Sequence, residues 1–365
     1  MDTQTIGARV RRAIADRASS VTQYQVAEAV GMTPDALSRA MNDKRAFSSV
    51  ELARLADYLG VEVHWLITGE PDPHRRRYAA RHRFDRDTGA RDVPGRDQDE
   101  LILADLELAY RQAGALPPSH DVPRTPAEMR EVLGSGFVRP FIDRLEERLA
   151  VDVVRVPDLS TGYSFAVDGR YVIAVPATGN WFWENFSLAH ELAHVAAGHL
   201  DDEPATEAAE LAANRWAADL LMPRADVVAA DFPSLTVEGL ASWVWDHGVS
   251  IDATANRLDA LGIEAPLVLR EWMGQKTQRL LRRHWRCPEP GLDAITARMD
   301  EAARRRFPQP LLRAHVDLVE SGAISARTLA WMLDVAVDEL EVEPPARPGG
   351  DVDELAVGLG LMPTP

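Results

Sequence analysis

The sequence predicts a mainly α-helical protein with one small antiparallel β-sheet, an α+β fold spread over more than one domain. Three observations carry this. Apolar residues recur at helical spacing in residues 6–70 and through most of 99–333. One stretch, 153–175, is instead β-branched or alternating, with a Val-Asp-Gly turn inside it. The chain has 365 residues, which suits two or three domains at roughly 100–200 residues each.

Residues 6–70 read as a run of short helices. A helix at 23–30 breaks at Gly31, and a second starts from Thr33, whose hydroxyl can cap it, with Pro34 in the first helical position. Val26, Ala27, Val30, Leu37 and Met41 face a shared core, the pattern of a helix-turn-helix. The next helix takes Ser49 as its cap and turns Leu52, Leu55, Ala56 and Leu59 inward. Residues 71–99 lose the periodicity to Pro, Gly and charge, with seven Arg against two Asp between 75 and 91, and read as an exposed basic linker.

Helix returns at 99–113, 127–134 and 137–150, with a Pro-rich break at 117–126. Strand runs follow at Val153–Val156, Tyr163–Val167 and Tyr171–Val175. Helices are then expected at 185–199, 205–221, 236–247 and 250–261, with further helical patterns at 292–306, 309–321 and 325–333. The Pro/Gly-rich end, 346–365, reads as a mobile tail.

Composition narrows the function. No apolar run reaches the ~18 residues that a membrane span needs. The N-terminus lacks the apolar core of a secretory signal, and the single Cys287 fits a reducing compartment, so a cytoplasmic protein is expected. With one cysteine and ten histidines, a metal site here must be built from His and carboxylates. The net charge of −17 is uneven: residues 1–93 hold 15 Lys+Arg against 13 Asp+Glu, and the remainder 25 against 44. Only the front of the chain tolerates nucleic acid.

The stretch "SLAHELAHVAAGHL", 187–200, carries the chemistry. His190 and His194 stand one helical turn apart on one face, able to meet one metal ion. Glu191 between them completes His-Glu-x-x-His, the zincin-like pattern in which the Glu is general base. A catalytic zinc needs a third protein ligand and an open position. His199 lies on the opposite face of a continuing helix, although a stop at Gly198 would alter that. Glu207 and Glu210 on the next helix are the other candidates, and spacing does not choose between them.

Taken with "ELAANRWAADLLMP" and the later "HGVSIDATANRLDALGI", the stretch resembles the ImmA/IrrE family of bacterial metallopeptidases over roughly residues 100–262. The resemblance implies a gluzincin-like zinc endopeptidase with His190, His194 and Glu210 as ligands, since the family's third ligand precedes the helix asparagine, here Asn214, by four residues. Glu191 would be the catalytic base. Two departures stand out: Glu184 where the family often has Arg, and Ala212 where it often has Glu. Tyr163, His199 and His247 are candidates for an oxyanion-side donor.

Residues 21–69 resemble Xre/Cro-type repressors, through Ala27, Gly31, Leu37-Ser38-Arg39, Lys44, Leu52, Leu55-Ala56 and Leu59-Gly60-Val61. By that resemblance the helix from Thr33 to Asn42 enters the major groove. Thr33, Asp35, Ser38, Arg39 and Asn42 would be its exposed positions, with Lys44 and Arg45 suited to phosphates.

The organisation expected is therefore a DNA-binding domain at 1–70, a linker at 71–99, a zinc metallopeptidase domain at 100–262, a helical C-terminal region at 263–345 and a tail at 346–365. The implied function is a DNA-binding regulator that cleaves a repressor-type protein, a partner or itself, to relieve repression. Operator DNA, that substrate and a second copy of the chain are the expected partners; a membrane is not. The alternative is a non-proteolytic transcription factor or antitoxin-like regulator whose zinc domain is structural or sensory.

Overall fold

Side-chain caps set where the helices of the N-terminal unit begin. The computed structural model describes residues 5–16, 22–59, 61, 63–70, 78–80, 83–84, 91–92, 95–201, 206–288 and 293–341. The chain divides into two units, 1–76 and 77–365. In the first, α1 (Ile6–Asp16), α2 (Gln23–Ala29), α3 (Pro34–Met41), α4 (Ser49–Leu59) and α5 (Val63–Thr68) follow one another. Thr22 caps α2 in a reciprocal box with Gln25, and Thr33 caps α3 with Pro34 at its start. The cap of α4 is Ser48 rather than the expected Ser49: its Oγ accepts from the Glu51 amide at 3.3 Å, and Glu51 accepts from the Ser48 amide at 2.8 Å. Glu51 stands three residues after Ser48, as a capping box requires, and this fixes the register. Val10, Val26, Ala27, Val30, Leu37, Leu55 and Leu66 close a small core.

In the second unit, β1 (Tyr78–Ala80), β2 (Arg83–Phe84) and β3 (Arg91–Asp92) precede α6 (Arg96–Ala113), α7 (Pro126–Leu133) and α8 (Phe141–Leu149). Then come β4 (Asp152–Val156), β5 (Tyr163–Val167) and β6 (Arg170–Pro176). The main sheet has the order β1-β5-β6-β4, while β2 and β3 pair separately. Two of its pairings are antiparallel and β4/β6 is parallel. The chain is mainly helical with a small sheet, as expected. The β5–β6 hairpin turns on Asp168 and Gly169, with φ of 49° and 81°. Both values are positive, as a two-residue type I′ loop needs. Where residues 71–99, the expected linker, are described, they are the three short strands and the start of α6.

Both faces of the sheet are covered, so its strands are not polar on one side. Val153, Ile173 and Val175 point to one face and pack with Leu145 of α8 and Leu188 and Leu192 of α9 (Trp181–Ala197). Val154, Val172 and Ala174 point to the other, against Leu103 and Leu106 of α6. Beyond α9 lie α10 (Glu207–Leu221), α11 (Arg224–Ala229), α12 (Val237–His247) and α13 (Ile251–Ala260). The C-terminal region adds α14 (Leu267–Trp272), α15 (Thr277–His284), α16 (Ala294–Ala302), α17 (Gln309–Glu320) and α18 (Arg327–Leu333). It shares both cores: Leu280, Leu281 and Ile295 join the first, and Phe307, Leu311 and Met332 the second. The expected tail, 346–365, lies outside the described residues. Among the described residues no helix is long and apolar enough to cross a membrane.

One buried ion pair ties the sheet to α9. Arg155 of β4 meets Glu184 of α9 through two bonds of 2.7 and 2.8 Å, and also donates to the Glu301 carbonyl at 2.8 Å. Both side chains are buried. Glu184, which departs from the ImmA/IrrE pattern, thus has a structural partner. Replacing Glu184 by Ala strands the guanidinium and is expected to destabilise the fold by about 3–5 kcal/mol. Urea unfolding should show most of that loss recovered when Arg155 and Glu184 are both made apolar.

Candidate metal centre

Helix α9 starts at Asn180, whose side chain accepts from the Trp183 amide, and ends at Gly198 in the left-handed region, φ 74°. Leu188, Ala189, Leu192 and Ala193 are buried, so the helix runs through the core with few positions left for water. His190, Glu191 and His194 are nonetheless all 0% exposed. Ionisable groups so placed must find partners or a ligand. Alongside runs α10, capped by Thr206. The small residues Ala193, Ala213 and Ala217 are buried on these two helices, which lets them approach closely. Three residues apart on α10, Glu207 is exposed and Glu210 is buried.

His190, His194 and Glu210 each offer a donor atom, and these lie within 4.8 Å of one another. The two imidazole Nε2 atoms are 3.1 Å apart. Glu210 approaches His190 Nε2 at 3.3 Å through Oε2, and His194 Nε2 at 3.4 Å through Oε1. Donors around a tetrahedral ion with bonds of about 2.0–2.1 Å stand roughly 3.3–3.4 Å apart, so the set fits such an ion closely. Glu210 Oε1 is buried and has no hydrogen-bond partner among the described residues, which also fits a metal-binding oxygen. Burial raises the Glu210 pKa, but the nearby His190 and His194 outweigh this and hold it at about 2, so it is a carboxylate at neutral pH. Burial would lower the His194 pKa; the Glu210 bond and the nearby carboxylates raise it overall.

The base candidate is held from the sheet. Ser164 alternates with Tyr163 and Phe165 on β5 and so faces α9, where its Oγ donates to Glu191 Oε2 at 2.8 Å. Glu191 Oε1 has no hydrogen-bond partner among the described residues. Gly162 lies beside it, where a Cβ would stand 3.3 Å from Oε1. Burial raises the Glu191 pKa, against the pull of His190 and His194.

Residues 146–259 match the IrrE N-terminal-like domain, a metallopeptidase family, and residues 16–66 match a helix-turn-helix family. Residues 146–259 are thus similar to an IrrE N-terminal-like domain. No curated protein and no solved structure gave a match.

Within the matched segment, the outer nitrogens of both histidines are held. His190 Nδ1 lies 3.1 Å from Asn214 Oδ1, so it carries the proton and leaves Nε2 with its lone pair. His194 Nδ1 is 3.0 Å from His199 Nδ1. The helix stop at Gly198 therefore exists, but it brings His199 to the back of His194 and not to the cluster of donors. Asn214→Ala is expected to lower metal affinity about 10–100-fold, as read by chelator competition, with the fold intact.

The oxyanion candidates are engaged elsewhere. The Tyr163 hydroxyl donates to Asp99 at 2.6 Å. His247 stacks on Trp243 and bonds its carbonyl through Nδ1. Ser164 and Gly162 are functional candidates that sequence reasoning does not reach. Ser164 lies on β5, whose Tyr163, Ser164 and Phe165 are all buried, and Gly162 directly precedes it; their relation to Glu191 becomes visible only once β5 is set against α9.

The helix-turn-helix unit presents α3 as its candidate DNA helix. Asp35, Arg39, Asn42 and Lys44 are exposed, whereas Ser38, expected to be exposed, is half-buried beside the buried Leu37 and Met41 of the same helix. Thr33 is exposed, and its hydroxyl caps the helix by accepting from the Ala36 amide at 3.2 Å. Asn42 donates to the Ser38 carbonyl at 2.8 Å, and Arg45 pairs with Glu51 at 2.7 Å.

Proposed function

We propose that the chain is a DNA-binding regulator with zinc-dependent endopeptidase activity that cleaves a repressor-type protein. Its foundation is the pairing of a helix-turn-helix domain, which suggests DNA binding, with a domain of a metallopeptidase family. The proteolytic reading rests on Glu191. A purely structural metal site needs its ligands, but not a buried carboxylate beside them with one oxygen fixed by Ser164 and the other unpartnered.

His190, His194 and Glu210 would hold the ion. When bound, zinc supplies a Lewis acid and lowers the pKa of a water it holds from ~15.7 toward ~7. The chain's own part is proton handling. Glu191 Oε1 accepts the proton of the attacking water and returns it to the amine as the peptide bond breaks. Its pKa, raised by burial, brings it closer to neutral pH, where a base that must also act as an acid works best. Asn214 and His199 keep the two imidazoles turned to the site.

The deciding experiment incubates the zinc-loaded protein with repressor-type proteins encoded nearby, comparing wild type with Glu191→Gln. Cleavage by the wild type alone supports the reading. No cleavage by either, with operator binding intact, favours a regulator without peptidase activity. Self-cleavage has one observation behind it: the β1 backbone, at the start of the second unit and within the expected linker 71–99, pairs with β5, Ala79 opposite Ser164, and lies against α9.

Operator binding itself should weaken with salt, with log K falling by about 0.9 per phosphate contact for each unit of log salt concentration. Lys44→Ala is expected to reduce that slope by about one contact and to weaken all sequences alike. A gel-shift series at several salt concentrations reads both; an unchanged slope removes Lys44 from the phosphate contacts.

A further inference from the structure

A cavity of about 1010 Å³ opens between α9, α10, α13 and the loop leading into α15. Trp183, Phe186, Asn214, Arg215, Asn256 and Lys276 are among the residues that line it. Lys276 lies beyond the 259 limit of the matched domain, so the cavity belongs to the combined helical body. Its volume is that of a small-molecule site, with aromatic walls and a few placed polar groups.

Charge separates this cavity from its surroundings. Residues 94–365 hold 25 Lys+Arg against 44 Asp+Glu. The cavity instead gathers Arg215, Arg257 and Lys276 around a single acid, Asp252. Asp252 is occupied by the Gly274 amide at 3.0 Å. Arg257 is turned to the Met222 carbonyl and to Asp219. Arg215 and Lys276 are exposed, and neither forms an ion pair among the described residues. Trp183 and Phe186 are half-buried on the facing helix.

We propose that this cavity binds an organic anion bearing an aromatic ring. The ring packs on Trp183 and Phe186, and the acidic group sits between Arg215 and Lys276, with the amides of Asn214 and Asn256 as further hydrogen-bonding groups. An occupant that reaches Asn214 touches the side chain that orients His190. The assignment stands apart from the peptidase reading, because neither metal nor cleavage enters its test.

The test titrates the full-length chain with anilinonaphthalene sulfonate, and with uncharged phenylnaphthylamine as control. Saturable binding of the sulfonate is expected, roughly tenfold weaker in the double variant Arg215→Glu, Lys276→Glu and in Trp183→Ala. Phenylnaphthylamine should bind roughly tenfold more weakly than the sulfonate. Arg215 and Lys276 are exposed, so charge reversal there leaves the core unaltered, which circular dichroism checks. Sulfonate binding to the double variant within about twofold of wild type overturns the proposal, as does equal affinity for the uncharged compound.

Discussion

Replacing Glu191 with Gln is expected, on the proposed peptidase reading, to leave zinc binding intact and to lower peptide cleavage by about 10²–10⁴-fold, the usual worth of a positioned general base. Gln keeps the shape of the side chain and can still accept from Ser164, so the packing around α9 is preserved. It lacks the basicity to take a proton. Glu191 is not one of the clustered donors, and its loss therefore leaves the three candidate ligands in place. Elemental analysis and cleavage assays on the same preparation separate the two effects. Undiminished cleavage would remove Glu191 from the base role, and lost zinc would move it among the ligands.

Glu210→Ala removes a donor from the cluster and is expected to cut zinc affinity by more than the ~10–100-fold typical of a supporting residue. Glu207→Ala should leave zinc content unchanged, because Glu207 is exposed on the outer side of α10. The contrast has a second consequence. The Glu210 carboxylate is held at about 2 by His190 and His194. A carboxylate whose folded pKa lies below its unfolded value stabilises the fold above the unfolded value, and that stabilisation is lost as pH falls toward the folded value. In the metal-free protein, the stability that Glu210 adds near neutral pH should therefore fade as pH drops from about 4.5 toward about 2. Urea titrations of wild type and Glu210→Ala across that range should converge at the acid end.

Much of the site is legible in the sequence. Two histidines one turn apart with a glutamate between them define a face by helix geometry alone, and Thr33-Pro34 and Asp168-Gly169 mark their helix start and hairpin by local chemistry. The departures are of two kinds. Ser48 and Ser49 are both good caps, and only the reach of Glu51 selects the first. Ser38 lies on a face that reads as exposed, and only the packing around α3 decides how far it is covered.

By itself the sequence carried the motifs: a His-Glu-x-x-His helix, a helix-turn-helix head and a chain too poor in cysteine for a thiolate metal site. The tertiary structure decided which carboxylate meets the two histidines. Glu207 and Glu210 differ by three residues, less than one turn, and their local sequence is equally helical. The packing of α10 along α9 buries one and exposes the other. The same holds for Ser164 and Asn214, which reach Glu191 and His190 across 27 and 24 residues of chain. Spacing along a helix is fixed by covalent geometry and can be read from the residues alone, whereas contacts between elements depend on how their buried faces fit.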